Sequence, residues 1–442
     1  MEIKELQKIL QENGVVGAGG AGFPTYAKLT DQANVILMNC AECEPLLKLH
    51  RQLLEKHAYE IMKTFELVRQ TVQAEEAIIG IKKSYVQTVQ ALNQYIEEFP
   101  NMRLHLLEEV YPMGDEVVLI YEATGRVVRP GGLPIEQGVA VFNVETIYNA
   151  YRAIEKQKPV TDKYVSVVAE VSDPVTVRVP IGCTLDEVVA QAGVVTCKDP
   201  VYFVGGPMMG RIGTGTEPVT KTTNAILVLP ADHIIISKKK RKSSIDLKRA
   251  ASICCQCNSC TDLCPRHNLG HPIDPAHFMR AASNQDFRDL NPYLDAAFCS
   301  SCGVCEMYSC PQSLAPRSLL ADMKGGLRKA GIKPPQGVQP KTVRESREYR
   351  KVPEERLMAR LSLTRYDKDA PMDENLVAVS KVKINLSQHI GAPAQAVVKA
   401  GDQVTRGQVI AQPANGLSVA IHATICGKVT EVTDRFVVIA KN

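Results

Sequence analysis

Two runs of cysteine constrain this chain more than any other feature. The first reads Cys254-x2-Cys257-x2-Cys260-x3-Cys264-Pro265, the second Cys299-x2-Cys302-x2-Cys305-x4-Cys310-Pro311. Three thiols at a pitch of three residues, on a tight loop, bring their sulfurs round one face of a cuboidal iron–sulfur cluster. The Cys-Pro that follows starts a new segment and, in two-cluster proteins, ligates the other cluster. The spacing therefore predicts two [4Fe–4S] clusters with crossed ligands. Cys254, Cys257, Cys260 and Cys310 hold one; Cys299, Cys302, Cys305 and Cys264 hold the other. The competing reading is a pair of zinc ribbons. Zinc needs two CxxC pairs and four ligands, and has no use for a third cysteine at the same pitch or for the Cys-Pro. Cys255 is read as a non-ligand beside Cys254, with a one-residue slip of register as the alternative. The extra residue before Cys310 is left for a loop to absorb.

The chain has 442 residues and 14 cysteines, 45% hydrophobic and 23% charged residues, and no Trp. The length predicts several domains, and the apolar fraction excludes wholesale disorder. With 52 basic against 48 acidic residues, the charge is too balanced to point to nucleic acid. No apolar run approaches a membrane span. The start, MEIKELQKIL, alternates charge with Leu and Ile, unlike the apolar core of an export signal. A cytoplasmic location is expected, with thiols serving as metal ligands rather than disulfides.

Residues 14–28, GVVGAGGAGFPTYAK, contain Gly17, Gly19 and Gly22 in the literal pattern G-x-G-x-x-G. A dinucleotide turn needs a strand before it and a helix directly after. Here an amphipathic helix precedes it, with Ile3, Leu6, Ile9 and Leu10 on one face and Gly14 at its end, and Pro24 closely follows Gly22. The Rossmann turn is therefore disfavoured. What remains is a bare-backbone loop able to approach a phosphate or a flat ring, with Lys28 as a cation, or else a purely structural turn.

GAGGAGFPTYAK (17–28), NCAECEP (39–45), YPMGDEVVLI (111–120) and FNVET (142–146) occur in this order. Together they resemble the flavin-carrying, NADH-oxidising subunit of respiratory complex I and its relatives, the Rnf-complex C subunit and the cobalamin reductases of propanediol-utilisation microcompartments. The resemblance implies FMN held by Gly17, Gly19, Gly20, Gly22, Phe23, Lys28, Asn39, Gly114, Asn143 and Thr146. It implies Glu42, Glu44 and Glu116 at the border of a nicotinamide pocket, with NADH as electron donor. Two departures bear on that pocket. Ala18 stands where the complex I loop has Arg, and Asn39-Cys40-Ala41-Glu42 lacks the Asp of Asn-Ala-Asp-Glu. Cys40 and Cys43 are read as small buried residues rather than redox thiols.

The expected fold is multidomain, α/β and α+β. An FMN- and NADH-binding α/β domain covers 1–155, with a strand at Ala77–Ile81, a helix at Tyr85–Glu98 and a strand at Arg103–Leu107. A β-grasp (SLBB) domain, implied by the resemblance, covers 156–237, with a capping box of Thr184 and Glu187 opening a short helix ended by Gly193. A ferredoxin-like 2[4Fe–4S] domain covers 238–330. Its opening basic run, Lys238–Lys242, is read as a solvated linker. A charged linker and helix, with Pro353 in the first turn, fills 331–370. A lipoyl-like barrel-sandwich hybrid domain covers 371–442. Its expected hairpin, Asn415-Gly416-Leu417-Ser418, has no Lys, which disfavours lipoylation or biotinylation.

A hydride brings two electrons, whereas a [4Fe–4S] cluster takes one, and a flavin handles both. The parts thus make a two-to-one electron converter. Domain order looks like the microcompartment reductases, so the expected acceptor is cobalamin or a corrinoid-carrying protein. A shell protein or an adenosyltransferase is the expected neighbour in a bacterial microcompartment, and the N-terminal helix is read as a fold helix leading into the glycine loop in preference to an encapsulation signal. The corrinoid-type pattern Asp-x-His-x-x-Gly is matched only by Pro265-Arg266-His267-Asn268-Leu269-Gly270, and His267 is read as structural. Two alternatives stay open: an Rnf-type subunit on a membrane complex, and an electron-transfer module without its own nicotinamide site.

Overall fold

Alternation along four short strands organises the first domain. In Val35–Cys40, Ile36, Met38 and Cys40 point into one apolar cluster while Val35 and Leu37 point into another. A strand with both faces apolar belongs inside a parallel sheet covered on both sides. In the computed structural model, which describes residues 1–441, the parallel order is Met102–Leu107, Glu76–Lys82, Val35–Cys40, Val139–Asn143. Helices Ile3–Glu12, Leu49–Lys56, Ala58–Val72 and Val144–Glu155 cover one face; Glu116–Thr124 covers the other. The helix expected over Tyr85–Glu98 is shorter. It runs Val86–Asn93 and gives way to a 3-10 turn, Ile96–Glu98, where Tyr95 turns in against Tyr59.

The second sheet has six strands, in the order Met372–Leu376, Val175–Pro180, Asp162–Ala169, Ala225–Pro230, Pro200–Val204, Arg211–Gly213. The capping box is present: Thr184 Oγ1 accepts from the Glu187 N–H and the Glu187 carboxylate accepts from the Thr184 N–H. Its edge strand, Met372–Leu376, comes from far along the chain, inside the stretch assigned to the last domain. The last domain pairs two small sheets, Lys381–Asn385, Phe436–Ala440, Gly427–Val432, Gln403–Val404 and Gln395–Ala396, Val409–Gln412, Ile421–His422. It shares one core with the six-stranded sheet, joining Val165 and Val177 to Ile384, Ile410 and Ile439. The hairpin Asn415–Ser418 is held against the first domain: Tyr26 Oη donates to the Gly416 carbonyl at 3.4 Å and the Ser418 N–H donates to Tyr26 Oη at 3.3 Å. Among the described residues no helix is long and apolar enough to cross a membrane.

The basic run is not a solvated linker. Lys238 and Lys239 close a helix, Ile234–Lys240. Lys238 is buried and donates to the Glu306 carbonyl at 2.7 Å; Lys239 donates to the Gly210 carbonyl at 2.8 Å and lies over the Phe203 ring. The 331–370 segment is also docked. Val352–Pro353 pairs antiparallel with Val110–Tyr111, and Leu357, Leu361 and Leu363 are fully buried behind it.

One carboxylate knits three domains together. Buried Asp162 accepts from Arg152 (2.8 and 2.9 Å) and Arg178 (2.8 and 3.1 Å), and pairs with Arg406 of the last domain. Burial alone would raise its carboxyl; the Arg152 charge and the hydrogen bonds from Arg152 and Arg178 outweigh burial and hold it well below the usual carboxylate range. Asp162→Asn is expected to destabilise the protein by about 3 kcal/mol at pH 7, the cost of stranding buried charge. Because the folded value is depressed, this stabilisation is present above the unfolded value of about 4 and is lost as pH falls below it. Urea midpoints of wild type and variant should therefore converge in acid; a constant gap from pH 7 to pH 3 would contradict the assignment.

Candidate functional site

The helix Ile3–Glu12 stops at Gly14, whose φ of +70° only glycine adopts cheaply. The chain then folds back on itself. The Gly17 N–H donates to the Phe23 carbonyl at 2.9 Å, and Val16 bridges Pro24. The flap between them closes over the carboxyl ends of Val35–Cys40 and Val139–Asn143, where open parallel sheets place ligands. A cavity of about 330 Å³ results. All ten residues expected to hold a flavin line it, as does Glu116.

Several of these residues hold one another. Thr146 Oγ1 accepts from the Ala18 N–H at 3.0 Å, fixing the flap to the helix Val144–Glu155. Asn143 caps that helix by accepting from the Glu145 and Thr146 N–H groups, and its amide nitrogen meets His50 Nε2 at 3.1 Å. The Asn39 amide donates to the Gly114 carbonyl at 2.9 Å. Lys28 Nζ donates to the Val141 carbonyl at 2.8 Å and stands 3.5 Å from Glu116.

The cavity fits a flat, phosphate-bearing group. Nothing lies within 4 Å of the place a Gly20 side chain would occupy, and Gly22 has a φ of +75°. Thr25 Oγ1, on the wall, is buried without a hydrogen-bond partner, which a buried hydroxyl avoids unless a ligand completes it.

Glu42 and Glu44 do not line this cavity. Glu42 is buried 3.4 Å from His50 Nδ1 and accepts the Arg51 N–H at 3.3 Å, so it supports Asn143 through His50. Glu44 faces the six-stranded sheet's loop, accepting the Met208 and Met209 N–H groups at 2.8 and 3.0 Å. Burial pushes its carboxyl up to about 7 against those two hydrogen bonds. Gly206 must be glycine here, because a Cβ would overlap the Glu44 side chain. Cys40 and Cys43 are inward-facing thiols that burial keeps protonated, Cys43 pushed up to about 12.

The cysteine segment forms two separate nests. One cavity is lined by Cys254, Cys257, Cys260 and Cys310, the other by Cys264, Cys299, Cys302 and Cys305. These are the crossed sets that the spacing predicts. Burial, with the neighbouring Cys310, Cys257 and Cys254, pushes Cys260 up to about 12. Burial and the same kind of repulsion from Cys302 and Cys299 raise Cys264. Among the described residues no three His, Cys, Asp or Glu side chains converge on a single metal ion. The extra residue before Cys310 is taken up by a wide π-type turn, Val304–Ser309. Cys255 is exposed at the rim of the first nest. His267 Nδ1 meets the Ile273 carbonyl at 2.8 Å, a structural contact.

The nest containing Cys302 abuts the first domain. Tyr111 Oη donates to the Cys302 carbonyl at 2.5 Å. Arg266 binds both oxygens of Asp115 at 2.8 and 2.9 Å, and Asp115 caps the helix Glu116–Thr124. The segment from Tyr111 to Glu116 thus touches the nest at one end and the glycine-walled cavity at the other. The roles of Tyr111, Arg266, His50 and Thr25 come from contacts between distant segments, although Thr25 falls within the first quoted motif and Tyr111 within the third.

Three family models match the chain: a Nuo51 FMN-binding domain over residues 10–152, a 4Fe-4S dicluster domain over 253–315, and an RnfC barrel sandwich hybrid domain over 366–442. The fold is similar to that of an NAD+-reducing [NiFe]-hydrogenase in the H2-reduced state, with a TM-score of 0.50, 21% identity, and coverage of 76% of this chain and 64% of that one. The cobalamin reductase PduS of Salmonella typhimurium is 40% identical over 99% of this chain and 96% of its own length. PduS of Citrobacter freundii is 39% identical over 100% and 97%. The chain belongs to the family of the PduS cobalamin reductases.

Proposed function

We propose that this chain is a flavo-iron–sulfur cobalamin reductase, taking electrons from NADH at FMN and releasing them singly through two [4Fe–4S] clusters. The full-length similarity to cobalamin reductases carries this reading. The continuous segment from Gly114 to the nest of Cys302 supports it. When bound, FMN supplies the exchange between hydride and single electrons. The chain's own part is placement. Gly17, Gly19, Gly20, Asn39, Asn143 and Thr146 would hold FMN, with Lys28 as a cation whose charge Glu116 tempers. In this reading Glu42 acts on the site indirectly, by orienting His50, and Glu44 acts by holding the Met208 loop beside the nearer nest. Of the two nests, that of Cys264, Cys299, Cys302 and Cys305 abuts the flavin domain and would receive the electrons first. Residence in a bacterial microcompartment, with a shell protein or adenosyltransferase as neighbour, belongs to the same proposal, on the strength of the family resemblance.

The test is anaerobic reconstitution with iron, sulfide and FMN, then addition of NADH with and without hydroxocobalamin. NADH should bleach the flavin, and hydroxocobalamin should restore its colour while the cobalt(II) spectrum grows in. A holoprotein that stays yellow under excess NADH would contradict the nicotinamide site.

A further inference from the structure

A cavity of about 930 Å³, larger than the glycine-walled one and than either thiolate nest, lies apart from all three. It opens between the helix Leu49–Lys56, the start of the helix Val86–Asn93 and the docked segment 354–372. We infer that this cavity receives the corrinoid acceptor itself. The inference rests on the cobalamin-reductase reading and adds to it a place.

Size is the first argument. Small-molecule sites run from about 300 to 1,000 Å³, and this cavity sits at the top of that range, suited to one side of a macrocycle. Charge is the second. Five carboxylates line it, Glu55, Glu109, Glu354, Asp367 and Asp369, against three cations, Lys48, Arg51 and Lys56. Lys48 is already 3.0 Å from Asp367. With Glu354 paired to Lys82, and Lys48 to Asp367 and Asp369, the wall keeps a modest negative excess that disfavours the two phosphates of a dinucleotide more than the single phosphodiester of a cobalamin. It accepts a corrinoid, whose rim is neutral carboxamide and whose cobalt(III) centre is cationic.

Hydrogen bonding is the third argument. A carboxamide rim both donates and accepts, and the wall has both functions to spare. Gln52 Oε1 is buried with no partner, although its amide nitrogen is engaged by the Ala370 carbonyl at 2.9 Å. The Arg51 guanidinium is stacked over Tyr85 with its carbon 4.6 Å from the ring centroid, and has no hydrogen-bond partner among the described residues.

Position is the fourth. Leu46, Leu47 and Met358 line the cavity and pack in the same apolar cluster as Cys302, Val304 and Met307. The cavity and the nest nearer the flavin site therefore border one continuous apolar cluster. The step there balances simply. One electron leaves a reduced cluster and cobalt(III) becomes cobalt(II); the hydroxide of hydroxocobalamin takes up a proton from solvent and leaves as water.

The experiment is a binding titration on reconstituted holoprotein with hydroxocobalamin, followed by equilibrium dialysis. Val86 is 57% exposed at the cavity mouth, so Val86→Trp can block the opening with little cost to folding. Val86→Trp should weaken hydroxocobalamin binding at least tenfold, with flavin and iron contents of the same sample reporting an intact protein. Wild-type affinity in both Val86→Trp and Gln87→Trp would overturn the site and leave the reductase reading standing. Wild type that neither binds nor reduces hydroxocobalamin would overturn the reading and the site with it. Hydrogen exchange of the unaltered holoprotein gives an independent answer. Added hydroxocobalamin should slow exchange in 46–56, 84–87 and 367–372; protection confined to other segments would overturn the assignment.

Discussion

Cys302→Ser is expected to remove about four iron atoms per chain, one cubane's worth, and to leave the flavin in place. Cys257→Ser should remove as many from the other nest. The crossing of ligands makes a sharper demand. Cys310 shares a cavity with Cys257, and Cys264 shares one with Cys302, across about 50 residues of chain in the first case and about 40 in the second. The double variant Cys257→Ser/Cys310→Ser should therefore lose no more iron than either single change, whereas Cys257→Ser/Cys264→Ser should lose twice as much. Additive loss within one nest would mean that each run ligates its own cluster. Cys255→Ser is the control for register. Cys255 is exposed at the rim, and its replacement should leave the iron count untouched. Iron assay and the electron paramagnetic resonance of the reduced protein read all of these.

Gly19→Val is expected to release the flavin. A Cβ at Gly19 would overlap the Asn143 amide, with Asn143 Cγ only 2.9 Å away. Asn143 could escape only by giving up its cap on the helix Val144–Glu155 and its contact with His50. Lost caps cost about 1 kcal/mol and overpacking about 1–3 kcal/mol, so FMN affinity should fall by about tenfold to a thousandfold. Flavin content after gel filtration and the dissociation constant from fluorescence quenching measure this. Full flavin retention would mean that the flap does not carry the cofactor.

Much of this molecule could be read from the chain because its chemistry is local. The cysteine runs sort into two cavities, and the glycine run folds into a bare-backbone flap that lines a third. The capping box of Thr184 and Glu187 is written within four residues and stands in the structure as expected. The failures share one physical cause. Lys238 looks solvated because five charges in a row normally are, and only a carbonyl from Glu306, distant in sequence, makes burial tolerable. Glu44 shares a motif with Asn39, yet it turns to the Met208 loop of another domain. The strand Met372–Leu376, MDENL, is too polar to be recognised as one; it forms because Val175–Pro180 offers it an open edge.

That borrowed strand has a practical meaning for anyone who would dissect the protein. Sequence matches suggest beads that could be cut apart, with the barrel-sandwich module beginning near residue 366. Cleavage before Met372 would strip the cover from Val175–Pro180 and bare a row of unpaired amides and carbonyls, the template on which sheets polymerise. A truncated fragment should precipitate rather than work, and the reductase has to be studied whole.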